Sequence, residues 1–216
     1  MSRLLPEPLR AVERRLRLIS ILTAAVETGL APVPISHVHL LAYLTDVLAP
    51  VWHLPVLDGQ LLKRRQPFFP AMQHDLDRLV GMGVVRVVRF GYVKSDGGEG
   101  WRLDADYEPV SESASPILAE VEQHDQLRQV HSFVREVVYA ASGLGAAGIT
   151  EVAGVDATYS DPLVDLGGLI DIIEAPSRTV HVAQRFAELA GDERRLTDAE
   201  LVHLYVRHLY SRMRVA

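Results

Sequence analysis

A chain of 216 residues with 48% hydrophobic and 23% charged side chains holds enough apolar material for one large domain or two small ones, with both charge signs interspersed. Its net charge of -6 and pI near 5.8 argue against a dedicated polyanion binder, which carries an excess of Lys and Arg to neutralise phosphates. The absence of cysteine excludes disulfides, thiolate catalysis and thiolate zinc sites.

The N-terminal run SRLLPEPLRAVERRLRLIS lacks the uninterrupted apolar core and small-residue cleavage site of a signal peptide. No stretch approaches the roughly 18 apolar residues of a membrane span, so a cytoplasmic protein without a membrane partner is expected. Pro6 and Pro8 introduce a helix whose apolar positions Leu9, Val12, Leu16, Ile19, Leu22 and Val26 keep helical spacing up to Gly29. Arg10, Arg14, Arg15 and Arg17 fall off that stripe and read as a solvated face offset by Glu7 and Glu13, with a basic face for DNA or an acidic partner as the alternative. After a linker from Ala31 to Pro34, Ser36 reads as the N-cap of a helix that turns Val38, Leu41, Leu44, Val47 and Leu48 inward. His37 and His39 are two apart, face different sides of that helix, and read as structural.

Pro50 to Phe69 is too proline-rich for a long helix and too apolar for a free linker, so a packed connection is expected, with a turn at Leu57-Asp58-Gly59-Gln60. Phe68 and Phe69 read as pins to the core. Lys63-Arg64-Arg65 is the only basic triplet in the chain. The next segment, PAMQHDLDRLVGMGVV, places Pro70 in a first helical turn and Met72, Leu76, Leu79 and Val80 on one helical face. Gly81 and Gly83 stop the helix, VVRVVRFGYV reads as a strand, KSDGGEG as a turn, and WRLDADYEPV as a half-buried returning strand with Trp101, Leu103, Ala105 and Tyr107 on its apolar face. Helix, glycine stop and hairpin make the second half of a winged helix. The helix offers Gln73, His74, Asp75, Asp77 and Arg78, and two carboxylates facing phosphates are repelled where base readout needs donors. Lys63, Arg64, Arg65, Arg89, Lys94 and Arg102 are therefore the candidate contacts to a protein partner or, without sequence preference, to nucleic acid.

Ser111 to Ser115 reads as a polar linker and marks the expected boundary between a winged-helix-like domain over 1-112 and a helical domain over 113-216. The expected fold is thus mainly α with a small β-hairpin. Ser115 and Pro116 carry a helix-start signal for one helix of about 27 residues, roughly 40 Å long, on which His124 and His131 share a charged outer face. Asp156, Asp161, Asp165 and Asp171 invite a metal reading, but their spacings of five, four and six across Pro162 keep them off any single face. Thr197 and Glu200 have capping-box spacing ahead of a last helix with Leu201, Leu204, Tyr205, Leu209 and Met213 inward. No nucleophile, metal or phosphate-loop constellation is present, so no enzymatic activity, cofactor or metal is expected.

The segments HLLAYLTDVLAP and VLDGQLLKRRQPFFPAMQHDLDRLVGMGVV resemble two groups from prokaryotic conflict systems over about residues 35 to 85, in hydrophobic spacing and a few polar marks. One is the middle component of three-component ABC ATPase defence systems, small winged-helix adaptors between an SMC-like ATPase and an effector. The other is the Panacea-type antitoxin domain, which also has a helix with Leu and Tyr, then a turn, a Lys and a Pro before an amphipathic helix. The length after Glu112 and the run DATYSDPLVDLGGLID suit the first group better. That resemblance implies a non-enzymatic adaptor with an SMC-like ATPase and an effector as partners; a DNA-binding regulator or antitoxin is the alternative.

Overall fold

The structure, a computed structural model, describes residues 6-94, 101-173, 177-191 and 195-215; the side chains of Arg102 and Leu103 lie outside the description, as do most of the expected KSDGGEG turn and the triplets 174-176 and 192-194. It is mainly helical with small antiparallel sheets. Helix α1 (Glu7–Glu27) buries Leu18, Ile21, Leu22 and Ala25, and with them Arg14 and Arg17. The stripe expected from sequence is rotated: Leu9, Val12 and Val26 are about half exposed, while the two arginines expected in solvent face inward. The reason is electrostatic and lies elsewhere in the chain, in three aspartates that meet those arginines.

A two-residue strand β1 (Val33–Pro34) leads directly into α2 (Ile35–Leu48), with Pro34 rather than Ser36 at the cap position and no side-chain cap. Every residue of α2 from His37 to Leu48 is buried, because helices pack on it from several sides. The 50-69 connection is packed, as its composition requires. It runs through a 3-10 turn (Ala49–Trp52) into β2 (Gln60–Lys63) and β3 (Pro67–Phe68), with Phe69 buried and its ring parallel to His39. Gly59 adopts φ +65 at the turn, where a side chain would collide with Ile173, and Asp58 beside it is buried. Helix α3 (Pro70–Gly81) starts on its proline and buries Met72, Leu76 and Leu79, as the spacing predicts.

The hairpin β4 (Val85–Lys94) and β5 (Trp101–Pro109) follows, and β1 pairs with β5 to give the antiparallel order β1-β5-β4. Then α4 (Ser111–Val121) begins where a linker was expected, so Ser111 to Ser115 is helical and Pro116 lies inside the helix. The single long helix is also absent. His124 is extended at φ -114, ψ 113, and a separate α5 (Asp125–Ser142) starts after it; Asp125 in the first turn pairs with Arg128, whose guanidinium also donates to the Glu122 carbonyl across the break. Helix α6 (Gly145–Val155), strand β6 (Leu169–Asp171), α7 (Arg178–Ala190) and α8 (Asp198–Met213) complete the chain. The expected capping box is formed: the Glu200 N–H donates to Thr197 Oγ1 and the Thr197 N–H to the Glu200 carboxylate.

The parts before and after residue 112 share one hydrophobic cluster. Helix α1 packs on α5, α2 packs on α5, α6 and α7, and β6 joins β2 in a second antiparallel sheet, β3-β2-β6. No single helix among the described residues is long and apolar enough to cross a membrane.

Candidate functional site

The candidate contact residues divide between the β2–β3 loop and the hairpin. Lys63 is committed to the fold: its Nζ donates to the carbonyls of Asp161 (2.6 Å) and Val164 (2.7 Å), drawing the 161-168 loop against β2. Arg64 is exposed and stacks over the Phe68 ring at 4.2 Å, while its backbone N–H and carbonyl both engage the Tyr159 hydroxyl. Arg65 is exposed beside it. The basic triplet is thus partly a clamp, with one of its three charges spent on backbone carbonyls.

The hairpin is built from local signals. The Val84 N–H bonds to the Leu79 carbonyl after Gly83 takes φ +70, which ends α3 and aims the chain into β4. Val87, Val88, Phe90, Tyr92 and Val93 favour the pleated state. A register shift between Val87 and Arg89 leaves Val88 without a cross-strand partner, and from Arg89↔Asp106 to Lys94↔Trp101 the pairing is regular. One face of the ribbon is closed by ion pairs: Arg86 to Glu108 at 2.8 Å, and Arg89 to Asp106 through two bonds of 2.7 and 2.9 Å, with Asp104 at 3.7 Å. Arg89 is therefore occupied, its guanidinium held above its ordinary pKa by the bond to Asp106. The side chain of Arg102 lies outside the described residues.

The other face is apolar. Near the base, Ala105 and Tyr107 are buried, and β1 covers β5 only at Asp106 and Tyr107. Pro34 closes β1 and the chain turns at once into α2, so among the described residues the part of β5 nearer the tip has β4 as its partner and no strand on its other edge. Phe90, Tyr92 and Lys94, at i, i+2 and i+4, and Trp101 opposite Lys94 line this outer part of the face. Phe90, Tyr92 and Trp101 are 69%, 67% and 65% exposed. Sequence alternation placed Trp101 inward; it faces water because the core ends before the hairpin does. Phe90 and Tyr92 were not singled out from sequence, although an aromatic pair at i and i+2 on a strand flanked by cations carried the signal. Covering each such ring is worth about 1.5-3 kcal/mol, which the isolated chain forgoes.

Helix α3 does not present its carboxylates as expected. Asp77 is exposed, but Asp75 is buried and accepts from Arg14 Nε at 2.7 Å. Around it, Arg14 also binds Asp58 (3.1 Å) and Glu7 (2.6 Å), and Arg17 binds Asp46 (2.7 Å) and, in a short contact, Asp58. Burial penalises the Arg17 charge, yet Asp46 and Asp58 outweigh it and hold the guanidinium above its ordinary pKa. Burial likewise raises the Asp46 carboxyl, against the pull of Arg17. Two buried arginines against three buried aspartates form a closed network that ties α1 to α2, the 58-60 turn and α3.

A second buried centre surrounds Asp156, which is fully enclosed. It accepts from the Tyr43 hydroxyl, from Tyr205 at 2.5 Å, from Thr179 at 2.9 Å, and from the backbone N–H groups of Thr158 and Tyr159, both at 2.9 Å. Burial, and then the Asp156 charge, push the Tyr43 and Tyr205 phenols well above their usual range. With every donor internal and no access, this centre joins α2, α7 and α8 and offers no reacting group to a substrate. The remaining carboxylates are dispersed: Asp161 pairs with Arg178 at 3.1 Å, Asp165 is exposed, and Asp171 accepts from Gln60 at 2.7 Å. Among the described residues, no three His, Asp or Glu side chains lie together as metal ligands would.

The histidines behave as structural groups. His37 bonds Thr150 at 2.9 Å, and His39 Nδ1 accepts from the Phe69 N–H at 3.1 Å while Nε2 meets Gln73 at 3.2 Å. His131 is a correction: instead of sharing an outer face with the exposed His124, it is buried and bonds Ser20 at 2.7 Å. A cavity of about 700 Å³ opens among α5, α7 and α8, lined by Leu144, Phe186, Leu204, Arg207 and Tyr210. No protein-family model, curated protein or solved structure matches the chain.

Proposed function

We propose that the protein is a non-enzymatic adaptor or assembly subunit, a winged-helix-like N-terminal part sharing one core with a helical C-terminal part, which links an SMC-like ATPase to an effector in a cytoplasmic prokaryotic defence complex. The order α1-β1-α2-α3-β4-β5 with sheet order β1-β5-β4 supports the winged-helix reading, with the β2–β3 segment inserted before α3. The observation that carries the adaptor reading is the hairpin, where Phe90, Tyr92 and Trp101 stand in water on a two-stranded projection. Such a ribbon is marginal by itself, and exposed aromatic clusters mark protein contacts. Of the candidate contacts, Arg64, Arg65 and Lys94 are exposed at the surface, and Lys94 lies on the aromatic face.

The DNA-regulator alternative draws less support. Lys63, Arg86 and Arg89 are engaged within the chain, and the hairpin carries Asp104, Asp106 and Glu108 beside its cations. The test is tagging the chromosomal gene in its native host and purifying under mild salt. An SMC-like ATPase and an effector are expected in stoichiometric amounts; recovery of the chain alone, or with DNA as its main companion, overturns the reading.

A further inference from the structure

Helix α7 is loosely seated towards its C-terminal end. Of its 13 residues only Thr179 and Ala183 are buried, both in the first half. Further along, it faces Ala140 and Gly143 of α5, which are too small to fill the space, so Phe186 and Leu189 border the cavity of about 700 Å³ instead of a packed core. Leu189 is 71% exposed, and the Phe186 ring is held edge-on against His208 at 5.6 Å. A space of roughly 300-1,000 Å³ with mostly apolar walls and a few polar groups is what small-molecule sites offer.

The polar groups on the wall are Glu200, His203, Arg207 and Tyr210, which share one face of α8. Two of them are spent on the fold. Glu200 accepts from the Thr197 N–H at 2.8 Å in the capping box, and His203 bonds Glu136 at 2.5 Å. The other two are free: among the described residues the exposed Arg207 side chain has no hydrogen bond, ion pair or ring contact, and the Tyr210 hydroxyl has no hydrogen bond.

The charge along α8 is polarised as well. Its carboxylates, Asp198 and Glu200, lie in the first turn, whereas Arg207 and Arg212 lie in the second half and Arg214 at the cap stands 5.8 Å from the Tyr210 ring. Seven residues, about 10 Å of helix, separate Glu200 from Arg207. The carboxylates of the facing helices do not neutralise this pole, because Glu136 is held by His203 and Glu188 by Arg185.

We propose that this cavity binds an amphiphilic monocarboxylate. Its apolar chain lies against Leu144, Phe186, Leu189 and Leu204, and its carboxylate takes the Arg207 guanidinium, whose fork of donors matches two carboxylate oxygens, with the Tyr210 hydroxyl as a further donor. An ammonium amphiphile sets its charge against Arg207, and a small carboxylate without a chain leaves the apolar walls in water. The site goes beyond the adaptor reading, since no residue of the hairpin takes part.

The probe is decanoate, titrated into the full chain by isothermal calorimetry, with decylammonium and acetate as comparisons. Saturable binding of one decanoate per chain is expected, with neither comparison binding measurably. Arg207→Met, which keeps an apolar stem and removes the charge, should weaken it about tenfold, the scale of a charge-assisted hydrogen bond. Leu189→Asp, which sets a carboxylate against the chain of the ligand, should weaken it at least as much. Both side chains are exposed, so circular dichroism should be unchanged. Absence of binding, uptake of many decanoates without saturation, equal binding of decylammonium, or an affinity that Arg207→Met leaves intact would each overturn the assignment. Sedimentation as a dimer that Leu189→Asp dissociates would give the cavity to a second copy and overturn it too.

Discussion

Arg14 Nε donates to Asp75 at 2.7 Å across 61 residues of sequence, and this bond turns a carboxylate of α3 away from solvent. It changes what α3 displays: His74, Asp77 and Arg78 are exposed, Gln73 is engaged by His39 and donates to Asp77, and Asp75 holds α1 in place. Removing one member of a buried pair strands the other charge in a poorly solvated site. Asp75→Ala is therefore expected to cost about 3 kcal/mol in urea unfolding, whereas Asp77→Ala, at an exposed position, costs less than about 0.5 kcal/mol. Equal effects would mean that the network does not hold the helix.

The Asp156 centre gives a second expectation. Asp156→Ala leaves three hydroxyls and two backbone N–H groups without their acceptor, and a loss of at least about 3 kcal/mol is expected, with Tyr205→Phe costing about 1-2 kcal/mol. Thermal unfolding of both variants checks the order.

Alkaline behaviour follows from the same tyrosines. Burial raises Tyr43 and Tyr205, and raises Tyr159 to about 12, above the value of about 10 in an unfolded chain. A raised folded pKa means stability is fully present below pH 10 and is lost as pH rises above it. Ultraviolet titration should show these phenols ionising together with unfolding; their ionisation in a chain still folded by circular dichroism would contradict the burial.

At the acid side the histidines act. Burial lowers His39 to about 4, and the Phe69 N–H bond to Nδ1 requires that nitrogen unprotonated. His37 and His131 are lowered by burial as well. Because the unfolded chain takes up these protons first, their contribution is complete above about pH 6.5 and declines as pH falls towards 4. His39→Gln should flatten the dependence of stability on pH across that window, followed by urea unfolding at pH 4 to 7.

Lys63 is expected to matter for the fold more than for any ligand. Lys63→Ala removes both side-chain bonds to the 161-168 loop, so amide exchange at Gly167, whose N–H donates to the Lys63 carbonyl, and at Gly168, whose N–H donates to the Asp165 carbonyl within the loop, should speed up several-fold. Arg78→Ala, at an exposed position on α3, serves as the comparison and should leave those amides protected.

Local chemistry determined much of this protein from sequence alone. Proline at the start of α3, glycine at its end, the alternating hairpin strands and the Thr197–Glu200 capping box each act within a few residues, so their signals need no distant partner. The break in front of α5 was hidden, because nothing in the composition of Glu122 to His124 forbids a helix. Only the tertiary structure decided which charges are buried. Arg14, Arg17, Asp75 and Asp156 tolerate desolvation because their buried side-chain partners arrive from 23 to 113 residues away, and no periodicity encodes that pairing. The same holds for the candidate interface: Trp101 alternates like a core residue, and it is exposed because β1 ends at Pro34 and, among the described residues, no third strand covers the outer hairpin.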